Sequence, residues 1–303
     1  STPRRSNGKT MKKIYFIINP AAGIHHSRKQ KLEEMIPEYF PAETFQTEIV
    51  RINEKDRISD LTQKAVAKGY DIIVAVGGDG TINEIAQVLV DSSAVLGIIP
   101  AGSGNGLAHF LKIPFKLEEA LNLIKNGEAM CIDTIQLNDR IAVSIAGMGF
   151  DARIARQFAL DNHRGFFTYF KIAVKEYITF RPRLFQVITN NFIIKERAIL
   201  LSIANSNQFG YNTFIAPKAS ITDGLADITI VKKIPYSKIL RTVVLLFTHK
   251  IDKSLYVNTY KADQFTVIRE TGKYVNIDGE PFKMDKEVHV KVKPHSLRIL
   301  IPL

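Results

Sequence analysis

The residues best suited to chemistry cluster around glycine. Val76-Gly77-Gly78-Asp79-Gly80-Thr81-Ile82-Asn83-Glu84 joins an apolar run to a helical pattern. Three glycines permit a tight turn and a close backbone approach. A helix opening at Thr81 would point its first N–H groups at an anion. Asp79 adds a carboxylate beside that anion, which makes sense when a divalent cation accompanies it. Pro100-Ala101-Gly102-Ser103-Gly104-Asn105-Gly106 repeats the arrangement with a hydroxyl and an amide. Neither string is a dinucleotide fingerprint, which would need glycine where Leu107 stands, nor a G-x-x-x-x-G-K-[ST] loop. Asn19-Pro20-Ala21-Ala22-Gly23 is a third turn, and Asp278-Gly279-Glu280 holds two carboxylates across one glycine. Phosphoryl transfer to a hydroxyl needs a group that accepts the alcohol's proton, and such a pair offers one. The same three residues also suit a plain Asp-Gly hairpin with an incidental glutamate.

These turns need a scaffold that brings them together. From residue 13 to about 139, apolar runs alternate with helical periodicity: strands at 14–18, 45–52, 71–76 and 95–99, helices at 27–39, 56–68 and 117–126. Residues 71–76 form a nearly unbroken Ile/Val run, as in a parallel strand covered on both faces. Ile82, Ile85, Ala86 and Leu89 fall at i, i+3, i+4 and i+7 and give one apolar helix face. Repeated β-α units imply an open, mostly parallel sheet, whose strand ends are where ligands bind. The three glycine turns sit at the ends of the first, third and fourth strands and should converge.

After about residue 140, short strand-like stretches dominate: 141–145, 184–188, 192–194, 199–204, 225–231, 264–269, 274–277, 288–292 and 297–301. That spacing implies an antiparallel sandwich. Helices interrupt it at 168–179 and 237–248. The expected division is a leader at 1–10, an α/β domain at 11–139 and a β-sandwich at 140–295.

The single cysteine, Cys131, excludes a disulfide framework and a multi-thiolate zinc site, and is expected to be a small buried residue. No signal peptide or membrane-spanning run is evident, which suits a soluble, cytoplasmic protein. The 41 basic and 30 acidic residues give a net charge of +11, so anionic partners are favoured. No base-stacking or groove-reading module accompanies this charge, and nucleic acid is not expected as a partner.

Asn19-Pro20-x-x-Gly23, Gly77-Gly78-Asp79-Gly80-Thr81-x-Asn83-Glu84 and Pro100-Ala101-Gly102-Ser103-Gly104-Asn105 together resemble the diacylglycerol kinase catalytic-domain family, which includes bacterial soluble lipid kinases and sphingosine and ceramide kinases. Gly147-Met148-Gly149-Phe150-Asp151-Ala152, Asp223-Gly224-Leu225 and Asp278-Gly279-Glu280 extend the resemblance over nearly the whole chain from Met11. It implies a Rossmann-like nucleotide-binding domain, to which the last strand (296–303) returns, followed by a β-sandwich lipid-acceptor domain, with the active site between them, and an ATP- and Mg²⁺-dependent lipid kinase. On this resemblance Asn19, Pro20, Gly23, Asn53, Gly77, Gly78, Asp79, Gly80, Thr81, Asn83, Glu84, Gly102, Ser103, Gly104 and Asn105 bind the nucleotide. Asp79 also organises the catalytic Mg²⁺, and Glu280, ahead of Asp278, is the general base. A structural Mg²⁺ would be held by the Asp223 side chain and the carbonyls of Ser220 and Leu225. Many bacterial diacylglycerol kinases carry Asp where Gly106 follows Asn105; Gly-Ser-Gly-Asn is closer to the sphingosine-kinase form, so the acceptor stays open between diacylglycerol-like and sphingoid-like lipids.

Arg164-Gly165-Phe166-Phe167-Thr168-Tyr169-Phe170-Lys171, with Arg153, Arg156 and Lys175 nearby, reads either as an element facing the inner membrane surface or as a helix packing aromatics on the sandwich. The more apolar 237–248 stretch is expected to be core. The oligomeric state is open, a homodimer included. The competing readings are an NAD-kinase-like phosphotransferase and a non-catalytic, nucleotide-gated lipid-binding protein. Asn19-Pro20 and the second glycine turn disfavour the first, and the intact Asp79, Asp278 and Glu280 the second.

Overall fold

The structure, a computed structural model, describes residues 11–21, 26–53, 55–161, 166–207 and 213–302. The first part is β1 (Lys12–Ile18), α1 (His26–Tyr39), β2 (Phe45–Arg51), α2 (Ile58–Ala67), β3 (Ile72–Gly77), α3 (Asp79–Leu89), β4 (Val95–Pro100), the short α4 (Gly106–Phe110) and α5 (Leu117–Asn126). Every residue of β3 is buried, because alternate side chains enter two different cores. Ile73 and Ala75 pack with Ile82 and Ile85 of α3, while Ile72, Val74 and Val76 pack with Leu32 and Ile36 of α1 and Leu121 of α5. Helices on both faces leave no polar side to the strand, hence its continuous apolar run. The strands pair in parallel in the order β2-β1-β3-β4, so their C-terminal ends share one edge.

The rest is β5 (Glu128–Leu137), β6 (Arg140–Ala142), β7 (Ile145–Gly149), α6 (Phe150–Leu160), α7 (Phe166–Thr179), β8 (Arg183–Thr189), β9 (Ile193–Ala198), β10 (Leu200–Ala204), β11 (Ala226–Val231), α8 (Tyr236–Phe247), β12 (Val257–Ala262), β13 (Gln264–Arg269), β14 (Tyr274–Ile277), β15 (Glu280–Lys283) and β16 (Glu287–Ile301). An antiparallel sheet runs β12-β11-β10-β7-β14-β15. The other sheet continues from β4 through β16 to β13, β8 and β9, so β16 belongs to both halves. Between the sheets lie Val187, Leu201, Ile203, Ile228, Val267 and Val290. An N-terminal α/β part followed by a β-sandwich is therefore the architecture.

Several expectations are corrected. The expected strands 288–292 and 297–301 are one strand, β16, with a register irregularity between Lys293 and Leu297. The expected strand 141–145 is divided between β6 and β7, and of 192–194 only Ile193 and Ile194 are strand, at the start of the longer β9. β5, α6, β12 and β15 were not anticipated. Cys131 is exposed, on the outward side of β5. α8 buries only Thr242 fully and leaves Tyr236, Leu240 and Val244 open to solvent.

Candidate functional site

The strand-end edge of the parallel sheet gathers the glycine turns. Ile18 pairs with both Arg51 and Val76, and Gly77 pairs with Pro100, so Asn19, Asn53, Gly78 and Gly102 follow their strands at one level. The two glycine turns touch through their backbones: a Cβ on Gly102 would lie 2.4 Å from Gly78 Cα, and one on Gly78 3.0 Å from Gly102 Cα. No side chain fits at Gly102, and one at Gly78 would crowd the facing backbone. Asn19 Nδ2 donates to Thr81 Oγ1 at 2.9 Å, tying the first turn to the second. Lys29, which sequence reasoning missed, is buried and donates to Pro20 O at 2.6 Å. Desolvation lowers the pKa of its ammonium.

α3 opens at Asp79, with Gly78 as its N-cap, two residues before the expected start at Thr81. Asp79 thus stands in the first turn, where the helix dipole favours a carboxylate. Its carboxylate also turns to the backbone N–H groups of Asn105, Gly106 and Leu107. Oδ1, however, is buried with no hydrogen-bond partner. Desolvation raises the Asp79 pKa from 3.8 to about 6; the charge of Asp278 adds to the rise, and the backbone donors oppose it. A buried carboxylate oxygen without a donor fits a hard divalent cation, which would stabilise the charged form.

The remaining nucleotide candidates divide by what their side chains do. Asn105 adopts a left-handed conformation (φ 49°) and closes its own turn, with Oδ1 accepting from Gly102 N and Nδ2 donating to Gly102 O. It shapes the loop, while Ser103 is exposed at the tip. Asn53 likewise serves its own turn, accepting from Lys55 N. Pro20 is exposed, and Glu84 lies on the open side of α3 within electrostatic reach of Arg140. Gly23 lies outside the described residues.

Asn83 points elsewhere. Its Nδ2 donates to Ile141 O and to Asp278 Oδ2, both at 2.7 Å. Gln87, four residues on, exchanges hydrogen bonds with Ile141 N and O. α3 is thereby pinned to β6 and to the β14–β15 hairpin. The i, i+4 spacing of the two amides was the available signal, and it does not identify a partner in the other half of the chain.

Asp278 and Gly279 form the two-residue turn of that hairpin, both with positive φ (48° and 92°), as Asp-Gly in a type I′ turn requires. The carboxylates they separate have opposite environments. Asp278 is buried and accepts from Val143 N, Ser144 N, Ile145 N and Asn83 Nδ2 at 2.7–2.9 Å. Desolvation raises its pKa, against those donors. Glu280 is exposed and reaches the first of the two touching glycine turns: a Cβ on Gly80 would lie 3.1 Å from Glu280 Oε1. Gly80 and Glu280 are 200 residues apart in sequence, and this contact brings a carboxylate of the β-sandwich to the glycine turns.

The Asp223 turn does not fit a Mg²⁺ ion. Asp223 Oδ1 accepts from Leu225 N at 3.1 Å, and Oδ2 accepts from Lys261 Nζ at 2.8 Å, so both oxygens already face donors. The Ser220 side chain accepts a long contact from Thr222 N at its Oγ, while the ligand expected of Ser220 is its carbonyl. A Mg²⁺ bound to Oδ2 would stand ~4.5 Å from the ammonium and meet a repulsion of about 7 kcal/mol at an effective dielectric of ~20. Among the described residues, no group of three His, Cys, Asp or Glu side chains is placed to hold a metal.

An α/β part whose glycine turns meet a carboxylate from a following β-sandwich defines a class, and comparison with known proteins agrees. Residues 13–137 match the diacylglycerol kinase catalytic domain, and residues 144–301 match the YegS C-terminal NAD kinase beta sandwich-like domain. The chain belongs to the diacylglycerol kinase catalytic-domain family of lipid kinases. It is 28% identical over 256 residues to the "Probable lipid kinase YegS-like" of Enterobacter sp. (strain 638), covering 82% of this chain and 84% of that one. It is 26% identical over 275 residues to the diacylglycerol kinase of Bacillus subtilis (strain 168), covering 89% and 90%. A crystal structure of a diacylglycerol kinase from Bacillus anthracis str. Sterne shares the fold, with a TM-score of 0.73 at 18% identity over 97% of this chain and 98% of that one.

Proposed function

We propose that the protein transfers the γ-phosphate of ATP to the hydroxyl of a lipid held at a membrane surface, with Glu280 as general base. The contact between Glu280 and Gly80 carries this reading, because it sets a proton acceptor against the turn that would hold the phosphates. Glu280 takes the proton of the lipid O–H, the oxygen forms a bond to Pγ, and the Pγ–O bond to ADP breaks with its electrons leaving on ADP. The backbone N–H groups at the start of α3, with those of Ser103 and Gly104, orient the phosphates. Asp79 Oδ1 is the ligand offered to Mg²⁺, which when bound would neutralise charge developing on the phosphates. Asp278 holds the hairpin, and through it Glu280, against α3.

The acceptor's surroundings support a membrane-borne substrate. Phe167, Phe170, Val174 and Ile178 form one exposed apolar stripe on α7, and Tyr236, Leu240 and Val244 another on α8. The helices are neighbours, since Tyr177 OH donates to Ile234 O at 2.5 Å and its ring lies 6.3 Å from that of Tyr236. Lys171, Lys175, Lys238 and Arg241 are exposed on the same helices, so an anionic bilayer complements the pair in both polarity and charge. Among the described residues no helix is long and apolar enough to cross a membrane. Incubation with labelled ATP, Mg²⁺ and a panel of diacylglycerol, sphingosine, ceramide, polyprenol and NAD tests the proposal. Label in a lipid phosphate is expected. Label in NAD, or in no acceptor, overturns it.

A further inference from the structure

The turn for which the family resemblance implies a structural metal carries a lysine from another strand. Lys261 of β12 stands directly opposite Asp227 of β11 in the antiparallel register. Its ammonium lies 2.8 Å from Asp223 Oδ2, 3.2 Å from Asp227 Oδ2 and 3.5 Å from Lys218 O. Two carboxylates and a backbone carbonyl are the donor set of a hard cation. A primary ammonium, with three N–H donors, faces the same oxygens at 2.8–3.5 Å, longer than metal–oxygen bonds, donating to Asp223 Oδ2 and Lys218 O and lying beside Asp227 Oδ2 as an ion pair.

Asp227 shows why a cation is needed there. It is 5% exposed, and its Oδ2 has no hydrogen-bond partner, so the charge of Lys261 is what faces it. The turn's backbone is fixed by other means: Leu225 N donates to Asp223 Oδ1, and Gly224, at φ +72°, donates to the buried Asp133 Oδ2 at 2.7 Å. We infer that Lys261 is the resident cation of this turn, taking the place of a divalent metal, so that residues 218–227 fold without one. The inference is independent of the lipid-kinase reading.

The consequence reaches the active site through hydrogen bonds. Asp133 O and Val143 O both accept from the buried Asn205 Nδ2, and Val143 N donates to Asp278. A turn closed by a covalently attached cation keeps this path set whatever the free Mg²⁺ concentration.

Thermal melts of the nucleotide-free protein in EDTA and in millimolar MgCl₂ test the inference. The shift in melting temperature between the two conditions should be the same, within about 1 °C, for the wild type and for Asp223→Asn, because any Mg²⁺ taken by Asp79 stabilises both. Lys261→Met should melt lower in EDTA and gain stabilisation by Mg²⁺ or Mn²⁺, with a Mn²⁺ site visible by electron paramagnetic resonance that the double variant Asp223→Asn/Lys261→Met lacks. The wild type and Lys261→Met both retain Asp79, so the difference between them reads the Asp223 turn. Stabilisation of the wild type by Mg²⁺ that Asp223→Asn abolishes would overturn the inference. So would a Lys261→Met protein of wild-type stability in EDTA, or one that gains no Mn²⁺ site. Should Lys261→Met fail to fold, the comparison of the wild type with Asp223→Asn still decides the question.

Discussion

Asp79 is held in a state that the ligand-free protein pays for. Burial lifts its pKa to about 6, so the folded chain binds a proton between about pH 4 and pH 6 that the unfolded chain has released. Stability in the absence of ligand therefore falls as pH rises through that window, and above it the charged form costs on the order of 3 kcal/mol. Asp79→Asn should stabilise the ligand-free protein at pH 7.5 by about 1–3 kcal/mol, with the gain vanishing below pH 4, and should abolish phosphoryl transfer. Denaturant titrations of the two proteins at both pH values measure the difference; equal stabilities at pH 7.5 would remove the strain assigned to Asp79. The carboxylates of the hairpin should separate in the opposite sense. Glu280→Gln, at an exposed position, should leave stability unchanged and lower kcat by about 10²–10⁴. Asp278→Asn keeps one carbonyl oxygen for four donors and turns an N–H₂ toward two of them, a loss of about 2–4 kcal/mol. Unfolding free energies and single-turnover rates of both variants test the assignment; a stable, inactive Asp278→Asn protein would reverse the two roles.

Among the elements, those with one kind of environment along their length were legible. β3 is buried on both faces and reads as an apolar run, while α3 shows its apolar stripe at helical spacing. β5 mixes exposed Glu128, Ala129 and Cys131 with buried Ile132 and Ile135, and its partner β16 is contributed by the end of the chain. No local pattern marks such a strand. α6 buries small or polar residues, Asp151, Ala152 and Ala155 beside Ile154, and so gives little apolar signal. The glycine turns of the site were legible because close backbone contact permits only glycine. The roles of Asn83, Asn105 and Lys261 were not, because each depends on which atoms the fold brings opposite them. Composition also misdirected the reading of α8: its apolar residues suggest core, yet Leu240 is 77% exposed, as Phe167 on α7 is 86% exposed. If these two helices rest on an anionic bilayer, Phe167→Ser and Leu240→Ser should each weaken binding to phosphatidylglycerol vesicles about tenfold, from ~1–2 kcal/mol of lost apolar burial. Melting temperatures should not fall, since neither side chain supports the core. Co-sedimentation at fixed lipid concentration reads the effect, and unaltered binding in both variants would move the membrane contact to another face.

At the scale of the whole molecule, β16 couples the halves. It pairs in parallel with β4 through Ile299 and Leu96, with β5 at nine positions, and with β13 from Glu287 to Lys291. Its Val288, Val290, Val292, Leu297, Ile299 and Leu300 are each no more than 3% exposed, and they feed the sandwich core and both cores of the α/β part. Separating one half from the other would expose part of this set at about 1.5–3 kcal/mol per side chain, a sum comparable to the 5–15 kcal/mol that holds a typical domain. Asn83, Gln87 and Asp278 add hydrogen bonds across the same boundary. The chain should therefore unfold in one cooperative transition, with calorimetric and van't Hoff enthalpies equal. Leu297→Ala, in the α/β core, should cost about 2–5 kcal/mol and lower hydrogen-exchange protection in β3 and in β11 by the same factor. Two resolved transitions, or a loss of protection confined to β3, would show that the halves fold independently, and Glu280 would then owe its place at Gly80 to the polar clasp of Asn83 and Asp278 alone.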